Sequence, residues 1–134
     1  MLVHYIYERL QKLEGDTMIK GIGIDIVELD RIKAIFERKN RFIERILTDQ
    51  ELLTFKPLSD KIKIEFLAGR FAAKEAFSKA YGTGIGKDLS FHDIEIATNE
   101  KGKPYIVKPI HQGVHLSITH SDHYALAQVI IEEK

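Results

Sequence analysis

Two carboxylates on separate elements, each with cations nearby, define the chemistry open to this sequence. Asp25 stands in the run Gly21-Ile22-Gly23-Ile24-Asp25-Ile26, an acid among small and apolar neighbours where glycine lets a ligand or another backbone come close. Glu75 stands in Gly69-Arg70-Phe71-Ala72-Ala73-Lys74-Glu75-Ala76-Phe77-Ser78-Lys79-Ala80, one helical turn before Lys79 on the same face, with Arg70 and Lys74 on adjoining faces. Hard oxygen donors from two elements suit magnesium, which takes one or two protein carboxylates and completes its octahedron with water and phosphate oxygens. Lysines beside such a site hold or neutralise phosphate. Each feature alone has a plainer reading. Asp25 could accept backbone hydrogen bonds at a strand end, and Glu75 with Lys79 could be an exposed helix pair contributing about 0.2–0.5 kcal/mol. Their combination is what points to a metal and a phosphate.

A third candidate is the alternating run His115-Leu116-Ser117-Ile118-Thr119-His120, which ends a strand on His120 before a turn at Ser121-Asp122. Ser, His and Asp fall close together here, but a hydrolase triad is defined by spatial roles and an oxyanion hole, not by proximity in sequence. Other chemistries lack their residues. No Cys/His cluster suggests zinc, and no Gly-x-x-x-x-Gly-Lys-Ser/Thr loop suggests a nucleoside triphosphatase. Gly21-x-Gly23 is not a dinucleotide fingerprint, because Ile26 stands where a third glycine would open a helix.

The elements that must position these residues are legible from periodicity. Ile19 to Val27 alternates as a strand carrying Asp25. Asp30 is expected to cap a helix from Arg31 to about Lys39, and Thr48 with Glu51 forms a capping-box pattern for a short helix stopping near Pro57. From about Asp60 to Tyr81, Ile64, Leu67, Ala68, Phe71, Ala72 and Ala76 fall on overlapping helical faces, so this is the central helix, closed by the glycine-rich exit Gly82-Thr83-Gly84-Ile85-Gly86. Beyond it, Leu89 to Thr98 and Pro104 to Val107 read as a hairpin around Asn99-Glu100-Lys101-Gly102, and His115 to His120 and Tyr124 to Ile131 as two further strands. A strand, then helices, then consecutive strands predict an α+β fold: one long central helix with shorter helices packed on a mainly antiparallel sheet.

Residues 1–17 place Leu2, Tyr5, Ile6, Leu10 and Leu13 at helical spacing before Gly15-Asp16-Thr17 breaks the pattern ahead of Met18. This stretch reads as an appended helix, whether a native extension, a wrongly assigned start or a cloning remnant, and residues 18–134 as one domain. A chain of 134 residues with 44% hydrophobic content builds one packed core. Lys and Arg together number 20, as do Asp and Glu, so no global charge excess argues for nucleic acid or an anionic membrane, and any anion site must be local. Cysteine is absent, which removes disulfides, thiolate ligands and a thiol nucleophile. No apolar run approaches the roughly 20 residues that span a bilayer, and Glu8, Arg9, Lys12 and Glu14 stand where a signal peptide would be apolar. The expectation is a cytoplasmic protein.

Taken together, Gly21 to Glu28, Phe66 to Ala80 and His115 to His120 resemble the bacterial holo-acyl-carrier-protein synthases, of the 4'-phosphopantetheinyl transferase family, over Met18 to about Glu132. The middle motif is highly specific, the first is distinctive only in its company, and residues 1–17 lie outside the pattern. The resemblance implies transfer of 4'-phosphopantetheine from coenzyme A to a serine of apo-acyl carrier protein, in support of fatty acid biosynthesis. In that scheme Asp25 and Glu75 bind Mg2+, and Lys79 lies against the phosphates as proton donor to the leaving group. The carrier serine attacks the β-phosphate, loses its proton through a carboxylate or metal-bound water, and displaces 3',5'-ADP. Arg70 and His120 fall in family motifs and either contact coenzyme A phosphates or order the fold, while Gly82 and Gly84 shape the pocket through backbone amides. The resemblance further implies a homotrimer with active sites between subunits, and an acidic carrier protein as partner. Arg31, Lys33, Arg38, Lys39 and Arg41 offer that partner a local cationic strip, chiefly through Arg31, Arg38 and Arg41, unless they are an ordinary solvated helix face. A non-catalytic module that binds coenzyme A or a carrier, and a magnesium-dependent phosphoanhydride hydrolase, are the competing readings.

Overall fold

The computed structural model describes residues 1–14, 17–38 and 41–133. Its elements in chain order are α1 (Leu2–Glu14), β1 (Met18–Glu28), α2 (Leu29–Glu37), α3 (Phe42–Ile46), α4 (Asp49–Phe55) and α5 (Asp60–Tyr81). A 3-10 turn (Phe91–Asp93) then precedes β2 (Glu95–Thr98), β3 (Pro104–Lys108), β4 (Val114–His120) and β5 (Tyr124–Glu133). An antiparallel sheet runs β1-β5-β4, and β2 with β3 forms a separate hairpin. The predicted α+β architecture, with a long helix on an antiparallel sheet, is therefore the observed one.

The sheet's inner face is built from small residues so that α5 can lie close. Ala125, Ala127, Val129 and Ile131 on β5 and Leu116 on β4 are buried against α5, which contributes Leu67, Ala68, Ala72, Ala73, Ala76, Phe77 and Ala80. Burying side chains such as Leu67 or Phe77 contributes about 1.5–3 kcal/mol each. On β1 the approach is closer still, because the inward positions are glycines. A Cβ on Gly23 would sit 1.8 Å from the Ala76 carbonyl oxygen, and one on Gly21 would sit 1.9 Å from that of Ala80. The expected close approach at these glycines is made by a backbone, that of α5.

Two local expectations shift. Glu28, not Asp30, holds the N-cap of α2 and makes no side-chain cap bond, while Asp30 sits in the first turn, where its charge suits the helix dipole. The Leu89 to Thr98 strand is shorter than predicted, because Ser90 and Asp93 exchange side-chain and backbone bonds around the 3-10 turn and delay β2 to Glu95. Lys39 and the Gly15-Asp16 break lie outside the described residues. Elsewhere the reading stands: Thr48 and Glu51 form a full capping box on α4, and α5 stops at Gly82 with φ 100°. Among the described residues no helix is long and apolar enough to cross a membrane.

Candidate active site

Because α5 rests on the glycines of β1, the next inward residue of the strand, Asp25, is carried up to the helix. Its side chain is only 18% exposed, and the ammonium of Lys79 reaches over to it. Lys79 Nζ donates to the Ile24 carbonyl at 2.9 Å and to Asp25 Oδ1 at 3.3 Å. Glu75, one turn earlier on α5, is half-buried and faces the same place. Burial pushes its carboxyl above the usual range, the charge of Asp25 adds to that, and Lys79 opposes it. A cleft of about 290 Å³ opens here, lined by Asp25, Glu28, Arg31, Phe71 and Glu75 among others. A roomier depression of about 500 Å³ lies at the other end of the sheet, beside His115 and Glu132. The smaller cleft is the one that holds two carboxylates and a cation, Asp25, Glu75 and Arg31.

The two acids fit magnesium. Among the described residues no group of three or more His, Cys, Asp or Glu side chains forms a protein cage, and magnesium does not ask for one. The charge of Asp25 raises the cost of ionising Glu75, and a divalent cation between them would relieve it.

The other predicted residues lie at varying distances from this centre. Gly82 and Gly84 turn the chain out of α5 with φ 100° and 67°. Their amides both donate to the Ser78 carbonyl, at 3.0 and 3.1 Å, and the Gly86 amide donates to Leu89. The amides of these three glycines thus serve the helix end and the loop itself. Arg70 projects to the β2–β3 hairpin, donating to Thr98 Oγ1 at 3.1 Å with its guanidinium 4.2 Å from the Phe66 ring centroid. Its Nε is buried and has no hydrogen-bond partner, and burial lowers its pKa while Glu51 counters. His120 Nε2 lies 4.0 Å from Glu65 Oε2. Glu65 precedes Glu75 by ten residues of α5, or about 15 Å of helix rise, so the subunit by itself does not bring His120 to the two acids.

Lys74 is a correction. Its neighbours in sequence suggested a cation beside the phosphate site, yet its side chain is fully buried and turned to α3, α4 and the 3-10 turn. The ammonium donates to Glu51 Oε1 at 2.6 Å and to the carbonyls of Ile46 and Phe91 at 2.5 and 3.1 Å. Glu51 in turn accepts from the amides of Thr48 at 2.8 Å and Ile96 at 3.0 Å. Burial pushes the Lys74 pKa down, and Glu51 opposes the shift. Conversely, Glu28 and Phe71 line the cleft and were not singled out. Phe71 precedes Glu75 by four residues on α5, a spacing that puts them on one face and could have been read.

Residues 21–129 match the 4'-phosphopantetheinyl transferase superfamily. Curated relatives narrow the class. The holo-acyl-carrier-protein synthase of Anoxybacillus flavithermus is 66% identical over 116 residues, covering 86% of this chain and 97% of that one. That of Bacillus subtilis is 62% identical over 117 residues, with the same coverage of 86% and 97%. Among solved structures, the Bacillus anthracis synthase in complex with coenzyme A (3',5'-ADP) superposes with a TM-score of 0.81 at 52% identity, over 87% of this chain and 99% of that one. The Helicobacter pylori synthase in complex with coenzyme A gives a TM-score of 0.70 at 39% identity, over 82% and 98%. The chain belongs to the holo-acyl-carrier-protein synthase family and is a phosphopantetheinyl transferase.

Proposed function

We propose that the chain transfers 4'-phosphopantetheine from coenzyme A to a serine of apo-acyl carrier protein in the cytoplasm, where both substrates occur, with Asp25 and Glu75 holding Mg2+. The observation that carries this is the shared cleft of Asp25 and Glu75, with Arg31 on its wall at the start of α2. A cation held by these two residues would supply charge neutralisation for the diphosphate of coenzyme A. The chain's own groups do the rest. Lys79, anchored on the Ile24 carbonyl, is poised to donate to a phosphate oxygen and to protonate the departing 3',5'-ADP. The carrier serine attacks the β-phosphate, gives its proton to a carboxylate of the cleft, and displaces 3',5'-ADP. Arg70 and His120 are assigned to phosphate groups of coenzyme A, and Gly82 and Gly84 to the shape of the pocket wall.

The assembly is proposed to be a homotrimer with shared active sites. Support comes from the outer face of β1, where Ile22, Ile24 and Ile26 are 57%, 53% and 59% exposed and form an apolar strip. The distance of His120 from Glu75 within one chain fits a site completed by a neighbour. Arg31, Arg38 and Arg41, all exposed at the ends of α2 and the start of α3, are proposed to dock the acidic carrier.

One assay tests the reaction. The protein is incubated with coenzyme A, magnesium and apo-carrier, and the carrier is weighed by mass spectrometry. A phosphopantetheine increment on the carrier is expected. Carrier-independent cleavage of coenzyme A, or binding without any product, would overturn the reading.

A further inference from the structure

The helix α1 stands outside the superfamily match, and the relatives are nearly covered in full without it. Its apolar side chains are bare: Val3 is 80%, Ile6 47%, Tyr7 59% and Leu10 49% exposed. A helix of 13 residues is marginal in water unless something covers its apolar face, and the exposures of Val3, Ile6, Tyr7 and Leu10 show that among the described residues that face is left open. The sequence says what would cover it. Val3, Ile6, Leu10 and Leu13 follow the 3-4-3 spacing of a coiled-coil seam, with Val3 and Leu10 at the first heptad position and Ile6 and Leu13 at the fourth. The polar side is occupied with itself, since His4 Nε2 lies 3.1 Å from Glu8 Oε1, and the Arg9 guanidinium donates to the Tyr5 hydroxyl at 2.9 Å.

We infer that α1 is an association helix whose partner is the α1 of other copies of this chain, packed in parallel. Charge fixes the direction. Arg9 occupies the seventh heptad position and Glu14 the fifth of the next heptad, a pair that attracts between parallel strands. An antiparallel pairing would bring each Arg9 to its own counterpart. The bare isoleucines of β1 begin a few residues after α1 in sequence, so both belong to the part of the chain that leaves apolar side chains uncovered. Two heptads are short for an independent coiled coil, but helices tethered to one assembly meet at high effective concentration. This inference rests on the assembly reading above.

Because the chain has no cysteine, single cysteines report proximity cleanly. Ile6→Cys, on the seam, and Glu8→Cys, on the outward side, are introduced separately into the full chain and mildly oxidised. A disulfide needs Cα atoms within about 7 Å, so Ile6→Cys is expected to give covalent pairs at least about tenfold faster than Glu8→Cys. In parallel, sedimentation compares the unaltered chain with Ile6→Asp/Leu10→Asp, which leaves the catalytic groups untouched. The unaltered chain is expected to stay assembled at roughly tenfold lower concentration or below, with equal turnover when both are assembled. Equal crosslinking at the two positions together with equal dissociation overturns the helix seam and leaves the assembly reading standing. A monomer under all conditions overturns both.

Discussion

Lys79 Nζ lies 3.3 Å from Asp25 Oδ1, joining the last turn of α5 to β1 at an acid that lines the cleft. The contact is half exposed, with Lys79 52% open, so its value for stability is small. Its value is positional: it holds an ammonium beside two acids. Lys79→Ala is expected to lower turnover by at least about a hundredfold with little change in melting temperature. Asp25→Ala and Glu75→Ala should each abolish magnesium-dependent transfer while circular dichroism stays near native. Full activity in any of the three removes that residue from the mechanism.

Glu75 predicts a pH signature. Burial and Asp25 raise its folded pKa above the ordinary 4.5, so between those two values the folded protein holds more protons than the unfolded chain. Stability due to Glu75 is therefore kept at low pH and falls as pH rises through that window. Glu75→Gln should flatten this slope and melt relatively higher at neutral pH. Magnesium affinity should run the other way, weakening as acid protonates Glu75. Parallel melting curves for the two proteins from acid to neutral pH would contradict the assignment.

The backbone contact at Gly23 makes a sharper test of packing. Gly23→Ala places a methyl 1.8 Å from the Ala76 carbonyl oxygen and must lift α5 from β1. A loss of about 1–3 kcal/mol in denaturant unfolding is expected, along with a disproportionate loss of turnover, since the two acids separate. Gly86→Ala, where an added Cβ meets nothing within 4 Å, should be nearly silent.

At the Glu51–Lys74 pair, removing one partner leaves a charge buried alone. Lys74→Met is expected to cost about 3–5 kcal/mol, and adding Glu51→Gln should restore part of it. Urea unfolding of the single and double variants measures both, and an unchanged midpoint in Lys74→Met would refute the structural role.

Charge reversal on the docking strip should separate the two substrates. Arg38→Glu with Arg41→Glu, both exposed and outside the cleft lining, is expected to raise KM for the carrier about tenfold or more and to flatten its salt dependence. KM for coenzyme A should stay unchanged, and a rise in it would move these arginines out of the docking role.

The sequence carried most of what is local. The bounds of α5 follow from its periodicity and from Gly82, and the α4 cap from Thr48 and Glu51 three residues apart. The meeting of Asp25 with the Glu75–Lys79 face was legible because each lies in a motif of distinctive company. The role of Lys74 was not, because its partner Glu51 lies 23 residues away and had a complete local explanation as a capping residue. The same holds for Gly21 and Gly23, where a glycine announces a close approach but not what approaches. Strand β2 began late because the Ser90–Asp93 exchange is a turn signal embedded in an apolar run.

Strand β1 divides its labour by parity. Odd-numbered positions from 21 to 27 meet the helix and carry Asp25, while the even-numbered isoleucines look the other way. A shift of one residue in its pairing with β5 would trade the acid for an isoleucine in the cleft and put a carboxylate on the oily side. Mispairing is thus punished twice, once as chemistry and once as solubility, and a single strand serves as the molecule's proofreader of its own register.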